Sequence, residues 1–111
     1  MSAESTVAFY GVRFEIADED ITSLEERSHP LLVKARQNGL KTYWGNFAEK
    51  GRKCLLFVGD KVGIFGLEND RQVRVSVDEL ANRANDTNAR LQRAGIVEQA
   101  MLYLEWQPDI R

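Results

Sequence analysis

Few side chains in this 111-residue chain are suited to covalent or acid–base chemistry: one histidine, His29, and one cysteine, Cys54. A histidine acting as a general base needs a carboxylate or carbonyl to orient its ring. Glu25 and Glu26 stand one helical turn before His29, within reach if a helix continues to residue 28. Pro30 follows directly, however, and a proline at that point marks a helix break. The plainer reading of His29 is a residue at that break. Cys54 opens the apolar run 54–58 beside Lys53. A reactive thiolate needs a positive, partly exposed setting. Strand alternation puts Lys53 on the opposite face, so Cys54 reads as a small buried hydrophobe.

With one histidine and one cysteine, the chain holds neither the four-cysteine nor the paired cysteine and histidine set of a zinc site, and no internal disulfide. The one close run of carboxylates, Asp18-Glu19-Asp20, already has a role in starting a helix. No metal and no cofactor are expected. The glycines at 59, 63 and 66 match neither G-x-G-x-x-G nor a P-loop and open no helix, so they read as turn residues.

Binding chemistry is better represented. In residues 40–47, Thr42, Trp44 and Asn46 share one strand face, and Lys41, Tyr43, Gly45 and Phe47 share the other. Arg13 and Trp106, from other strands, can join such a surface. Aromatic groups with a few polar ones suit a small-molecule pocket, and they suit a homodimer interface equally. The candidate ligand-binding or interface residues are therefore Arg13, His29, Trp44, Asn46 and Trp106. Charge is unevenly placed. Residues 15–26 hold six acids and no base, whereas residues 34–53 hold six bases against Glu49. The second stretch is an anionic-ligand candidate, although helix-dipole complementarity explains much of it. Asn82, Asn85 and Asn88 recur every three residues and are either a polar recognition row or tolerated filler.

These residues need elements to hold them. Residues 7–16 alternate with period two, which predicts a strand with one face exposed. Two helical pieces follow, broken at 28–29, with Ser28 or His29 capping the second and Gly39 stopping it. Strands are expected at 40–47, 53–58 and 62–67, joined by turns at 49–52 and 59–61, with a loop at 68–70 and a short extended piece at Val73 and Val75. Ser76-Val77-Asp78-Glu79 is a capping box. It opens a helix carrying Leu80, Ala84, Thr87, Leu91 and Ala94 and ending at Gly95. A last strand covers 101–106, closed at Pro108.

The resulting order predicts an α+β two-layer sandwich. A mainly antiparallel sheet of about five strands carries helices on one face, as a ferredoxin-like variant, with a β-α-β-β-β module as the alternative. Residues 1–6 are expected to be a disordered end and 7–111 a single domain. Apolar residues at 43%, charged residues at 29% and a net charge of −2 describe an ordinary globular chain and argue against nucleic acid as a partner. Residues 1–6 do not resemble a signal peptide, and no apolar run approaches the roughly 20 residues of a membrane span. With its lone cysteine, the chain is expected in the cytoplasm, away from membranes. The favoured function is a non-catalytic interaction or ligand-binding module that self-associates through the 40–47 strand. The alternatives are a small cofactor-independent enzyme with a pocket between sheet and helices, and an anionic-ligand or nucleic-acid binder through 34–53.

Overall fold

Alternating apolar residues near the N-terminus form β1 (Ser5–Ile16), which begins two residues earlier than expected and buries Ser5. The computed structural model describes residues 5–49, 51–66 and 71–107. A 3-10 turn at Asp18–Asp20 follows β1. Then come α1 (Ile21–Glu25), α2 (Pro30–Gln37), β2 (Lys41–Glu49), β3 (Gly51–Gly66), α3 (Val77–Arg93) and β4 (Met101–Gln107). The strands form one antiparallel sheet in the order β2-β3-β1-β4. β3 lies between β1 and β2, so those two run parallel without pairing. Among the described residues no helix is long and apolar enough to cross a membrane.

Among the described residues the sheet has four strands rather than five. The expected turn at 59–61 lies inside β3, where Gly59, Asp60 and Lys61 pair with Gly11, Tyr10 and Phe9. Glycine and aspartate suggest a turn locally, but all three residues pair with β1, and Gly59 also pairs with Lys41 of β2, which outweighs that preference. Val62 is absorbed as a bulge, where the register steps from Phe9↔Lys61 to Ala8↔Gly63. The β-α-β-β-β alternative fails for the same reason. Val73 and Val75 join no strand. The expected end at 1–4, Lys50 of the 49–52 turn, the loop at 68–70 and the stop at Pro108 lie outside the described residues.

The helix ends follow the expected chemistry. Ser76 Oγ accepts from the Glu79 amide at 3.1 Å and caps α3. His29 Nδ1 accepts from the Leu31 amide at 3.1 Å and caps α2, with Pro30 at its first position. Gly39 and Gly95 adopt φ of +68° and +76° just past α2 and α3. In both cases the next amide, Leu40 or Ile96, reaches back to Ala35 or Leu91 in the Schellman pattern.

All three helices cover one face of the sheet. Leu24, Leu32, Ala35, Leu91, Ala94 and Ile96 pack on Val12, Cys54, Leu56 and Val58. The other face was expected to be open to water, yet Val7, Phe9, Phe47, Leu55 and Phe57 are buried there. The sheet curls on itself. β2 and β4 lie at opposite edges, but Tyr43 Oη donates to Gln107 Oε1. A methyl group on Gly45 would overlap the same Gln107 side chain. Inside the curl, Phe57 sits 5.5 to 5.7 Å from the rings of Phe9, Tyr103 and Phe47. Only the Arg13–Glu15 end of β1 keeps the exposure that its charges suggested.

β1 and β3 make one close backbone contact. Gly11 pairs with Gly59. A Cβ on Gly11 would overlap the Val58 carbonyl oxygen and stand 2.9 Å from the Gly59 Cα; one on Gly59 would overlap the Tyr10 carbonyl oxygen. Both obstacles are backbone and cannot swing aside. Gly59→Ala should therefore lower stability by about 1–3 kcal/mol or more, seen as a lower urea midpoint.

Burial raises the pKa of Tyr43 above the usual phenol value, against the opposing effect of its hydrogen bonds with Ser5 and Gln107. The folded chain thus keeps a proton that the unfolded chain releases near pH 10. The associated stability is complete below about pH 10 and is lost as pH rises through the folded value. Tyr43→Phe cannot titrate. Urea midpoints across the alkaline range should therefore shift in favour of Tyr43→Phe relative to the parent chain as pH increases.

Candidate functional site

A cleft of about 730 Å³ opens between the α1–α2 pair and the start of β2. Leu24, Leu32, Ala35 and Leu40 supply its apolar wall, and Trp44 adds a half-buried indole from β2. Each position has a local cause. The break at 26–29 separates α1 from α2, Pro30 starts α2, and Gly39 ends it so that Leu40 and Lys41 enter the sheet edge. Arg90 Nη1, from α3, donates to the Gly39 carbonyl at 2.9 Å and steadies that corner.

The rim is cationic. Arg27, Arg36 and Lys41 line the cleft with Glu25 as the one carboxylate. Neither Glu25 nor any of the three cations makes an ion pair or side-chain hydrogen bond among the described residues. Arg27 also has a left-handed backbone, φ +61°, and is the only described non-glycine residue with positive φ. It ends α1 with the hydrogen bonds seen at the other two helices: its amide reaches Leu24 and the Ser28 amide reaches Ser23. Glycine fills this position after α2 and α3. An arginine here costs about 1–2 kcal/mol of left-handed strain that glycine avoids.

The five residues singled out from sequence do not converge. Trp44 alone among them lines the cleft. Asn46 lies further along β2, paired with Cys54 and exposed. Arg13 is on the opposite face, ion-paired with Glu105 and stacked over Tyr103 at 5.0 Å. His29 is half-buried and uses Nδ1 as a helix cap. Trp106 stands on β4, at the other edge of the sheet. The inner face of β2, with Tyr43 and Phe47, is closed within the curled sheet and offers no docking surface. Of the basic stretch, Arg36 and Lys41 reach the cleft. Sequence reasoning missed Arg27, because no side-chain pattern marks a left-handed backbone; its place just before the expected break was the available signal.

The remaining candidates have structural roles. Asn88 accepts from Tyr10 Oη at 2.9 Å and helps hold α3 on the sheet. Asn85 and Asn88 border a second, smaller cleft of about 580 Å³ beside residues 96–100. Arg83 pairs with Asp60 at 2.7 Å and anchors α3 to β3. Among the described residues no three His, Cys, Asp or Glu side chains gather as metal ligands. The chain matches no family model, no curated protein and no solved structure.

Cys54 is buried, and that burial, with the Asp18 charge, pushes its thiol pKa up. Both effects suppress the thiolate. Iodoacetamide at pH 8 should modify the folded protein at least about 100-fold more slowly than the urea-unfolded chain, followed by intact-mass measurement.

Proposed function

We propose that the chain is a non-catalytic ligand-binding module. Its ligand is a small amphipathic anion, held in the cleft between the α1–α2 pair and β2. The apolar body would lie against Leu24, Leu40 and the Trp44 indole, and the acid group would meet Arg27, Arg36 and Lys41. The observation that carries this reading is Arg27. A residue kept in a strained conformation that glycine would relieve, beside two other cations with no partner among the described residues and over an apolar wall, fits selection for binding more than for stability. The enzyme reading has less support, because Asn46, Arg13 and His29 stand apart. We also read the β-α-β-β-α-β order, with β3 between β1 and β2, as ferredoxin-like without the extra strand. A lone buried thiol supports a reducing, cytoplasmic location.

Two probes sharing one ring system test the reading: anionic 8-anilinonaphthalene-1-sulfonate and neutral N-phenyl-1-naphthylamine. Fluorescence titration should show the anion bound at least about tenfold more tightly, with the preference falling as salt screens the rim. Arg36→Glu should abolish the preference. Arg27→Gly should weaken anion binding while raising the urea midpoint, because it removes strain of about 1 kcal/mol. Equal binding of the two probes, or undiminished anion binding by both variants, would sink the proposal.

A further inference from the structure

α3 packs on β1 and β3. Beside it, β4 keeps its helix-side face open. The register decides which residues lie there. Leu102 pairs with Tyr10, Leu104 with Ala8 and Trp106 with Thr6, and Tyr10 meets Asn88 of α3. Leu102, Leu104 and Trp106 are 46%, 70% and 57% exposed; Met101 and Val97, which lead into the strand, are 53% and 91% exposed. The surface therefore forms a step, with α3 as the riser and an apolar strip of β4 as the tread. Asn85, Asn88, Ala89 and Gln92 of α3 border the cleft at this step with Val97, and Glu98 is the one charged side chain lining it. Asn82 continues the amide row one turn earlier.

We infer that a second copy of this chain covers the step, the α3 flank of each copy lying on the β4 strip of the other about a twofold axis. A ridge beside a shelf is its own complement under such a rotation, because each ridge falls on the other shelf. The composition fits the same partner. A twofold contact sets a surface against its own copy, so charge of one sign would meet its like and be repelled. The flank presents amides instead, each carrying donors and an acceptor in one group, which bond equally well to a copy of themselves. A strongly acidic or basic partner would find little opposite charge here. The contact is made by the face of β4 rather than by its edge, so the apolar side chains themselves leave water.

The surface available is sufficient. The exposed parts of Val97, Met101, Leu102, Leu104 and Trp106 amount to roughly 600 Å² per copy, the upper end of what a monomer leaves in water. The amide flank brings this to about 800 Å², the share that each partner contributes to a specific interface of standard size. Trp106 supplies the large aromatic anchor that such interfaces favour. The arrangement is isologous and closes after two copies. None of these residues lines the cleft between α1–α2 and β2.

Size-exclusion chromatography with light scattering on the full chain at about 100 µM should give twice the chain mass. Leu104→Lys and Trp106→Lys should each give single-chain mass, because each buries a lone charge at the contact. A chain carrying both Asn82→Glu and Asn85→Glu should also be single, with Asn88 left in place to hold Tyr10. All three should keep the parent circular dichroism spectrum, since these side chains are exposed. Mixing Leu104→Lys with the double-glutamate chain should restore the double mass. Lysine on one β4 then meets carboxylates on the other copy's α3, and the second contact keeps the parent residues. A parent chain that stays single would overturn the inference. So would lysine or glutamate variants that stay double, a mixture that stays single, or assemblies growing beyond two copies.

Discussion

The contact between Gly11 and Gly59 determines how the rest of the molecule can close. At this pair each glycine leaves room for the partner strand's backbone, where a Cβ would overlap a carbonyl oxygen. The sheet curls and encloses one face. Phe9, Phe47, Phe57 and Tyr103 then fill a core that needs no second layer, and the Tyr43–Gln107 hydrogen bond ties the two edge strands across it. With one face satisfied by curvature, the helices are needed only on the other. This explains how a short chain with three helices buries both sides of a four-stranded sheet.

Helix termination shows where stability and binding part company. All three helices end in the same hydrogen-bonded motif. After α2 and α3 the motif has glycine at the left-handed position and an apolar pair behind it, Leu40 with Ala35 and Ile96 with Leu91. After α1 it has Arg27, with Ser28 and Ser23 behind it. The first two ends agree with every local rule, and the third breaks two at once. A departure of that kind, confined to one corner and facing a cleft, is where a fold gives up stability for a site.

Much of the local structure was legible in the residues. The Ser76 cap, the Pro30 restart, the glycine stops and the period-two strand at 7–16 formed, because each depends on neighbours within a few positions. The misreadings were non-local. Gly59-Asp60-Lys61 reads as a turn until pairing along β1, and with β2 at Gly59, holds it extended. Phe9 and Phe57 lie on a face whose charged end suggested solvent, and only the curvature of the whole sheet hides them. The site divided in the same way. Trp44 was visible as an aromatic on a polar strand, whereas its neighbours in space, Arg27 and Arg36, come from the helices and share no pattern with it.

The two edges of the sheet are physically linked, and the link constrains how they work. Tyr43 lines the cleft at β2, and its hydroxyl is held by Gln107 at the end of β4. That hydroxyl is therefore committed to the inner face, so an anion in the cleft must rely on the three cations rather than on Tyr43. Tyr43 also packs against the Phe57 cluster, whose rings meet edge-to-face or tilted. The two edge strands are thus held relative to each other by the Tyr43–Gln107 bond across one curled sheet.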